Sequence, residues 1–149
     1  MTLYNHFRSK DELIVAALQR RDERFREWLK SAVENQARSP KKRLLAVFDV
    51  LKEWFEADDF RGCPFINAAG ESGAADDPVH QATAEHKRKV RQYLADLAAN
   101  AGAADADALA GQLHLLMEGA TVAAHVAGTP NAARQARKTA KVLIKNAGV

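Results

Sequence analysis

Thr2, Tyr4, His6 and Lys10 place four polar side chains within the first ten residues, each able to donate hydrogen bonds to phosphate oxygens, and Lys10 adds a full positive charge. That chemistry is contact with a nucleic-acid backbone. Leu3 and Phe7, four apart, would turn inward from the same stretch. A second set, His114, Glu118 and His125, recurs at i, i+4 and i+11 and so shares one helical face. Imidazole and carboxylate are good metal ligands, but a tight His-x-x-x-His pair is lacking, so the set reads as a polar pocket or dimer packing and no metal is expected. Cys63 beside Pro64 at a helix start reads as a buried structural thiol. There is no nucleophile elbow, phosphate loop or HExxH pattern, and the carboxylates fall mostly at caps or on polar faces. Neither an enzyme nor a cofactor is expected.

The elements that must carry these residues are marked by helix caps. Ser9 with Glu12 three residues on is a capping box, opening a helix that runs through Leu18, Phe25, Trp28, Leu29 and Ala32 to about Ala37. Ser39-Pro40 pairs an N-cap with the favoured first-turn proline and opens a second helix. Cys63-Pro64 begins a short helix to about Glu71, weakened at its end by Gly70 and Gly73. Asp77-Pro78 caps a long helix that stops near Asn100-Ala101-Gly102, and Asp105 or Asp107 caps the next, which reaches towards Gly128. Thr129-Pro130 leads into the last helix, about Asn131 to Asn146. No segment alternates with a strand period. The spacing predicts an all-α bundle of six helices behind a helical stub, with 1–8 as the stub, 9–37 as a connecting helix and 38–149 as the remaining domain.

Composition narrows the function classes. With 149 residues and a single cysteine, the chain has a core's worth of apolar residues but no intramolecular disulfide and no Cys-rich metal site. No uncharged apolar run is long enough to span a membrane, and Arg8, Lys10, Asp11 and Glu12 interrupt any signal-peptide core, so a cytoplasmic protein with no membrane partner is expected. The net charge of +3 is unevenly spread: residues 1–43 hold 11 of the 22 basic side chains against 6 acids, while residues 44–133 hold 6 against 13. The positive end is the end that carries Thr2 to Lys10, which suits a phosphate-facing end on an acidic body. A basic stripe of Arg134, Arg137, Lys138, Lys141 and Lys145 on the final helix reads as a solvated face.

The run Thr2-Leu3-Tyr4-Asn5-His6-Phe7-Arg8-Ser9-Lys10-Asp11-Glu12-Leu13 resembles the TetR/AcrR family of transcriptional regulators, at the junction of the recognition helix with the fourth helix. Gly62-Cys63-Pro64-Phe65-Ile66-Asn67-Ala68 resembles a G-C-x-x-x-N-A segment of many regulatory domains in that family. The resemblance implies an all-helical regulatory bundle, DNA contacts for Thr2, Tyr4, His6 and Lys10, and a ligand-responsive regulator, most simply a repressor. In the family the motif follows two helices and the first part of the recognition helix, so this form is expected to lack the first part of its helix-turn-helix, with DNA the partner expected of the intact protein rather than of this form. The alternative is a dimeric small-molecule-binding or interaction module that does not bind DNA itself and heterodimerises with full-length regulators.

The resemblance also implies an effector pocket among the central helices. Phe25, Trp28, Trp54, Phe65, Tyr93 and Met117 are the large side chains that would line it, and Asn67, His114 and Glu118 are its polar anchors. It further implies a homodimer joined through the last two helices. Their small and apolar residues Leu116, Ala120, Ala124, Ala133, Ala136, Ala140 and Leu143 are the candidate interface, since small side chains let helices approach closely. The effector itself is unknown.

Overall fold

A computed structural model describes residues 9–70 and 74–149. Six helices follow one another, with no strand among the described residues: α1 Lys10–Gln36, α2 Pro40–Glu56, α3 Pro64–Ala69, α4 Pro78–Asn100, α5 Ala106–His125 and α6 Ala132–Asn146. The all-α architecture expected from the helical periodicity is therefore the one adopted. No helix among the described residues is long and apolar enough to cross a membrane.

Local chemistry sets most of these boundaries. The Ser9 hydroxyl accepts from the Glu12 amide at 3.1 Å, and Ser39 accepts from the Lys42 amide at 3.3 Å, so two otherwise orphaned N–H groups are satisfied at the starts of α1 and α2. Asp77 does the same for Val79 at 2.8 Å, and Asp105 rather than Asp107 caps α5 through the Ala108 amide at 3.0 Å. α6 begins after Asn131 without a side-chain cap bond. α3 closes at Gly70, whose amide bonds back to the Ile66 carbonyl, so the described helix is shorter than the expected Pro64 to Glu71; Glu71 lies outside the described residues.

Each of the five longer helices buries a stripe at helical spacing, while α3 buries Phe65 alone. On α1 the stripe is Leu18, Asp22, Leu29 and Val33; on α2 it is Leu44, Val47, Phe48 and Leu51. α4 runs through the middle of the bundle, packing on α1, α2, α3 and α5, while α6 lies across α5 and α2. The apolar side chains separate into two clusters. The larger joins α1, α2, α4, α5 and α6 around Phe48, Leu94, Leu113 and Ile144. The smaller gathers Leu18, Cys63, Phe65 and Val79, with Ile14 and Ala82 against them, where α3 closes over α1 and α4. Fully burying a side chain such as Phe48 contributes about 2–3 kcal/mol.

Gly62, between α2 and α3, has φ +76°, and a Cβ there would run into the His125 ring from α5. Only glycine meets both conditions without strain. The turn therefore passes close against the end of α5, with His125 edge-on to Phe60 at 5.9 Å.

A candidate effector cavity between two apolar cores

Where the two clusters meet, the packing opens into a cavity of about 740 Å³. Arg21, Arg24, Phe25 and Trp28 face it from α1, at positions i, i+3, i+4 and i+7, which lie on one side of a helix. α2 contributes Leu51 and Trp54, α4 contributes His86, Lys87 and Val90, and α5 contributes Met117, Glu118 and Thr121. The remaining wall is the turn from Asp59 to Phe65, with Asn67 behind it.

The apolar side of the cavity is an aromatic assembly. Phe25 stands at its centre, 5.6 Å from the Trp28 ring, 5.5 Å from Trp54 and 5.5 Å from His86. These tilted and edge-on contacts are the arrangements that ring quadrupoles favour. Phe65 lies flat against His86 with centroids 3.7 Å apart. Thus His86 joins the two clusters across the floor.

The His86 ring is held from below by Asp22, whose Oδ1 lies 2.8 Å from Nδ1. An ionised carboxylate can only accept, so Nδ1 carries the proton. Asp22 also receives both Arg26 donors, at 2.9 and 2.8 Å, and Lys89 Nζ stands 3.6 Å away. Burial pushes the Asp22 carboxyl up, but the hydrogen bonds from Arg26 and His86 outweigh it and leave its pKa lowered. His86 has its pKa lowered chiefly by burial, against the opposing pull of Asp22. It is therefore a neutral ring at physiological pH.

On the polar side, Lys87 Nζ donates to Glu118 Oε1 at 2.8 Å and to Cys63 Sγ at 3.3 Å. Asn67 Nδ2 donates to the Arg61 carbonyl at 3.0 Å and so fixes the glycine turn. Arg61 Nη1 in turn donates to the carbonyls of Asp58 and Phe60.

The fold has close parallels among solved structures. Residues 40–140 match the family model described as the tetracyclin repressor-like C-terminal domain. The chain belongs to the TetR family of transcriptional regulators. Among solved structures, a TetR-family transcriptional regulator from Streptomyces coelicolor superposes with a TM-score of 0.87 at 26% identity, over 99% of this chain and 77% of that one. A TetR-type regulator from Streptomyces avermitilis gives 0.84 at 29% identity, over 99% and 79%. E. coli NemR in its reduced form gives 0.82 over 93% and 76%, and at 20% identity that likeness is one of fold. No curated protein matches the chain significantly. As a TetR-family member the chain is a regulator rather than an enzyme.

Of the pocket residues named from the sequence, Phe25, Trp28, Trp54, Phe65, Asn67, Met117 and Glu118 face the cavity. Tyr93 and His114 do not. Tyr93 sits on α4 beyond Val90, towards Glu34 and Arg43, where burial raises its hydroxyl pKa to about 12 and the oxygen has no partner among the described residues. His114 stands one turn before Glu118, its Nε2 3.6 Å from Glu118 Oε1, and burial lowers its pKa. Among the described residues no three His, Cys, Asp or Glu side chains converge as a metal site. The sequence reading missed the Asp22–His86 link, which spans 64 positions, and the cationic groups Arg21, Arg24, Arg61 and Lys87. The i, i+3, i+4, i+7 run into Trp28 was the signal for the first two.

Lys10 is exposed in the first turn of α1, while Thr2, Tyr4 and His6 lie outside the described residues. The candidate interface residues take a different place from the one expected. Ala120, Ala133, Ala136 and Ala140 are buried within the chain itself, and Leu116, Ala124 and Leu143 pack against the same core. Their small size serves the close approach of α5 and α6 in one protomer. The large apolar side chains left exposed here are Leu115 and Val122 on α5, Val126 at its C-cap and Val142 on α6.

Proposed function

We propose that the chain is a ligand-responsive TetR-family regulator, most simply a repressor, that acts as a cytoplasmic homodimer and takes its effector in the cavity between the two cores. The observation that carries this reading is the position of the cavity against the middle of α1. Phe25 and Trp28 form its wall, and Lys10 opens the same continuous helix. An effector packed on those rings displaces α1 only by favouring one of two arrangements of the helix, which is how binding at one site biases another. The displacement reaches the end that bears Lys10 and, before it, the motif Thr2, Tyr4 and His6, to which we assign contact with DNA phosphates.

Dimerisation rests on the exposed stripe of α5 and α6. Leu115 and Val122 lie seven apart on one side of α5, with Gly119 open between them, Val126 follows four residues on at the C-cap, and Val142 is exposed on α6. Two such helices from each protomer form a four-helix contact.

The test is genetic and physical together. Deleting the gene raises transcription from a promoter under its control, and the wild type responds to the effector in the same direction. Unchanged transcript levels after deletion would refute the regulatory reading. Sedimentation of the purified chain gives a dimer, and a monomer at high micromolar concentration would remove the homodimer.

A further inference from the structure

We propose that the cavity selects an organic anion with a flat aromatic body, an aryl carboxylate or sulfonate. The inference rests on the cavity being the effector site. It comes from the distribution of charge around the aromatic wall rather than from the wall alone.

Four cationic side chains line the cavity, Arg21, Arg24, Arg61 and Lys87, against two carboxylates, Asp59 and Glu118. Lys87 and Glu118 neutralise one another at 2.8 Å. Arg21 and Arg24 are exposed and pair with no carboxylate among the described residues, although acids are plentiful on α1. Arg26, by contrast, takes Asp22 in a two-pronged bond. The two unpaired guanidiniums sit three residues apart, so both can reach one acid group at the mouth, and a guanidinium fork matches carboxylate or sulfonate oxygens. Arg61 adds a third, and its Nη1 is already oriented by the carbonyls of Asp58 and Phe60.

Beneath them stand Phe25, Trp28, Trp54 and Phe65, whose faces and edges suit a planar body. Trp28 is 39% exposed, an apolar area that a bound ring would cover. An organic cation would find the same aromatic faces but two unpaired arginines at the entrance. Desolvation by the aromatic floor strengthens the attraction of an anion to those arginines relative to bulk water.

Calorimetric titration of the full chain with 2-naphthoate, neutral 2-naphthamide and 2-naphthylmethylammonium separates charge from shape. Naphthoate is expected to bind at least about tenfold more tightly than the amide, with the ammonium weakest, a step of about 1.4 kcal/mol. The double variant Arg21→Glu with Arg24→Glu, both at exposed positions, should remove that tenfold preference of naphthoate over the amide while the helical content by circular dichroism is unchanged, since exposed substitutions rarely disturb a fold. If the amide and naphthoate bind equally, or the double variant leaves naphthoate affinity unchanged, anion selection is overturned while the cavity still stands as a ligand site. If none of the three binds at millimolar concentration, the effector reading of the cavity falls with it.

Discussion

The His86 ring lies flat on Phe65, planes 4° apart, while its Nδ1 proton goes to Asp22. One imidazole thus touches α3 through its face and α1 through its edge, and it does so from α4 as a neutral group. Its protonation would put a charge between an aromatic ring and an already paired carboxylate.

Acid should therefore loosen this bundle before it protonates carboxylates generally. His86 has a lower pKa in the fold than its unfolded value of 6.5, so the unfolded chain binds the extra proton first. Its contribution is complete above about pH 6.5 and is lost as pH falls below that value. Asp22, also lowered, holds its contribution above its unfolded value of 3.8 and loses it below. Melting temperature followed from neutral pH downward should decline first near the histidine range, and His86→Gln should flatten that part of the curve while lowering its plateau. A profile flat from about pH 7 to 5 in the unaltered protein would contradict the assignment.

Asp22→Ala tests the same junction at constant pH. It strips the acceptor from His86 and from both Arg26 donors within a buried position, and the expected loss is about 2–4 kcal/mol by urea unfolding. A loss below about 0.5 kcal/mol, typical of surface changes, would show that the junction is not structural.

Gly62→Ala adds two penalties at once, a left-handed backbone for alanine and a collision with His125. The backbone part is about 1–2 kcal/mol, and the collision adds to it. Combining it with His125→Ala should recover the collision and leave the backbone cost. If the double variant is no more stable than Gly62→Ala, the close approach of the ring is not what constrains this turn.

Leu115→Glu with Val126→Glu places one charge on the exposed side of α5 and one at its C-cap. Because both side chains are largely open in one protomer, at 73% and 77%, the fold should persist by circular dichroism while sedimentation shifts from dimer to monomer. Retention of the dimer would move the interface elsewhere.

Much of this architecture is legible from local chemistry. Ser9, Ser39, Asp77 and Asp105 each announce a helix because a cap is a contact within three residues. Phe25, Trp28 and Trp54 stand out as large side chains that need a neighbour. The Asp22–His86 bond gives no such signal, since it joins helices 64 positions apart and each residue looks like one of many polar groups on its own helix. The alanines of α5 and α6 are ambiguous for another reason: small size signals close helix approach without saying whether the partner helix belongs to the same chain. Here Ala136 and Ala140 meet their own protomer, and the bulkier Leu115 and Val126 are left outside.

The division of the interior into two apolar clusters means that the molecule need not open as one unit. The smaller cluster rests on α3, under two turns long, and on few links, among them the Thr83 hydroxyl, which lies 3.1 Å from the Phe65 carbonyl. Its amides should exchange with solvent at a lower free-energy cost than those of α2, whose Leu44, Val47 and Phe48 are enclosed in the larger cluster. A molecule filling the space between would couple the two openings, and deuterium uptake across Pro64–Ala69 would slow even where the ligand makes no contact.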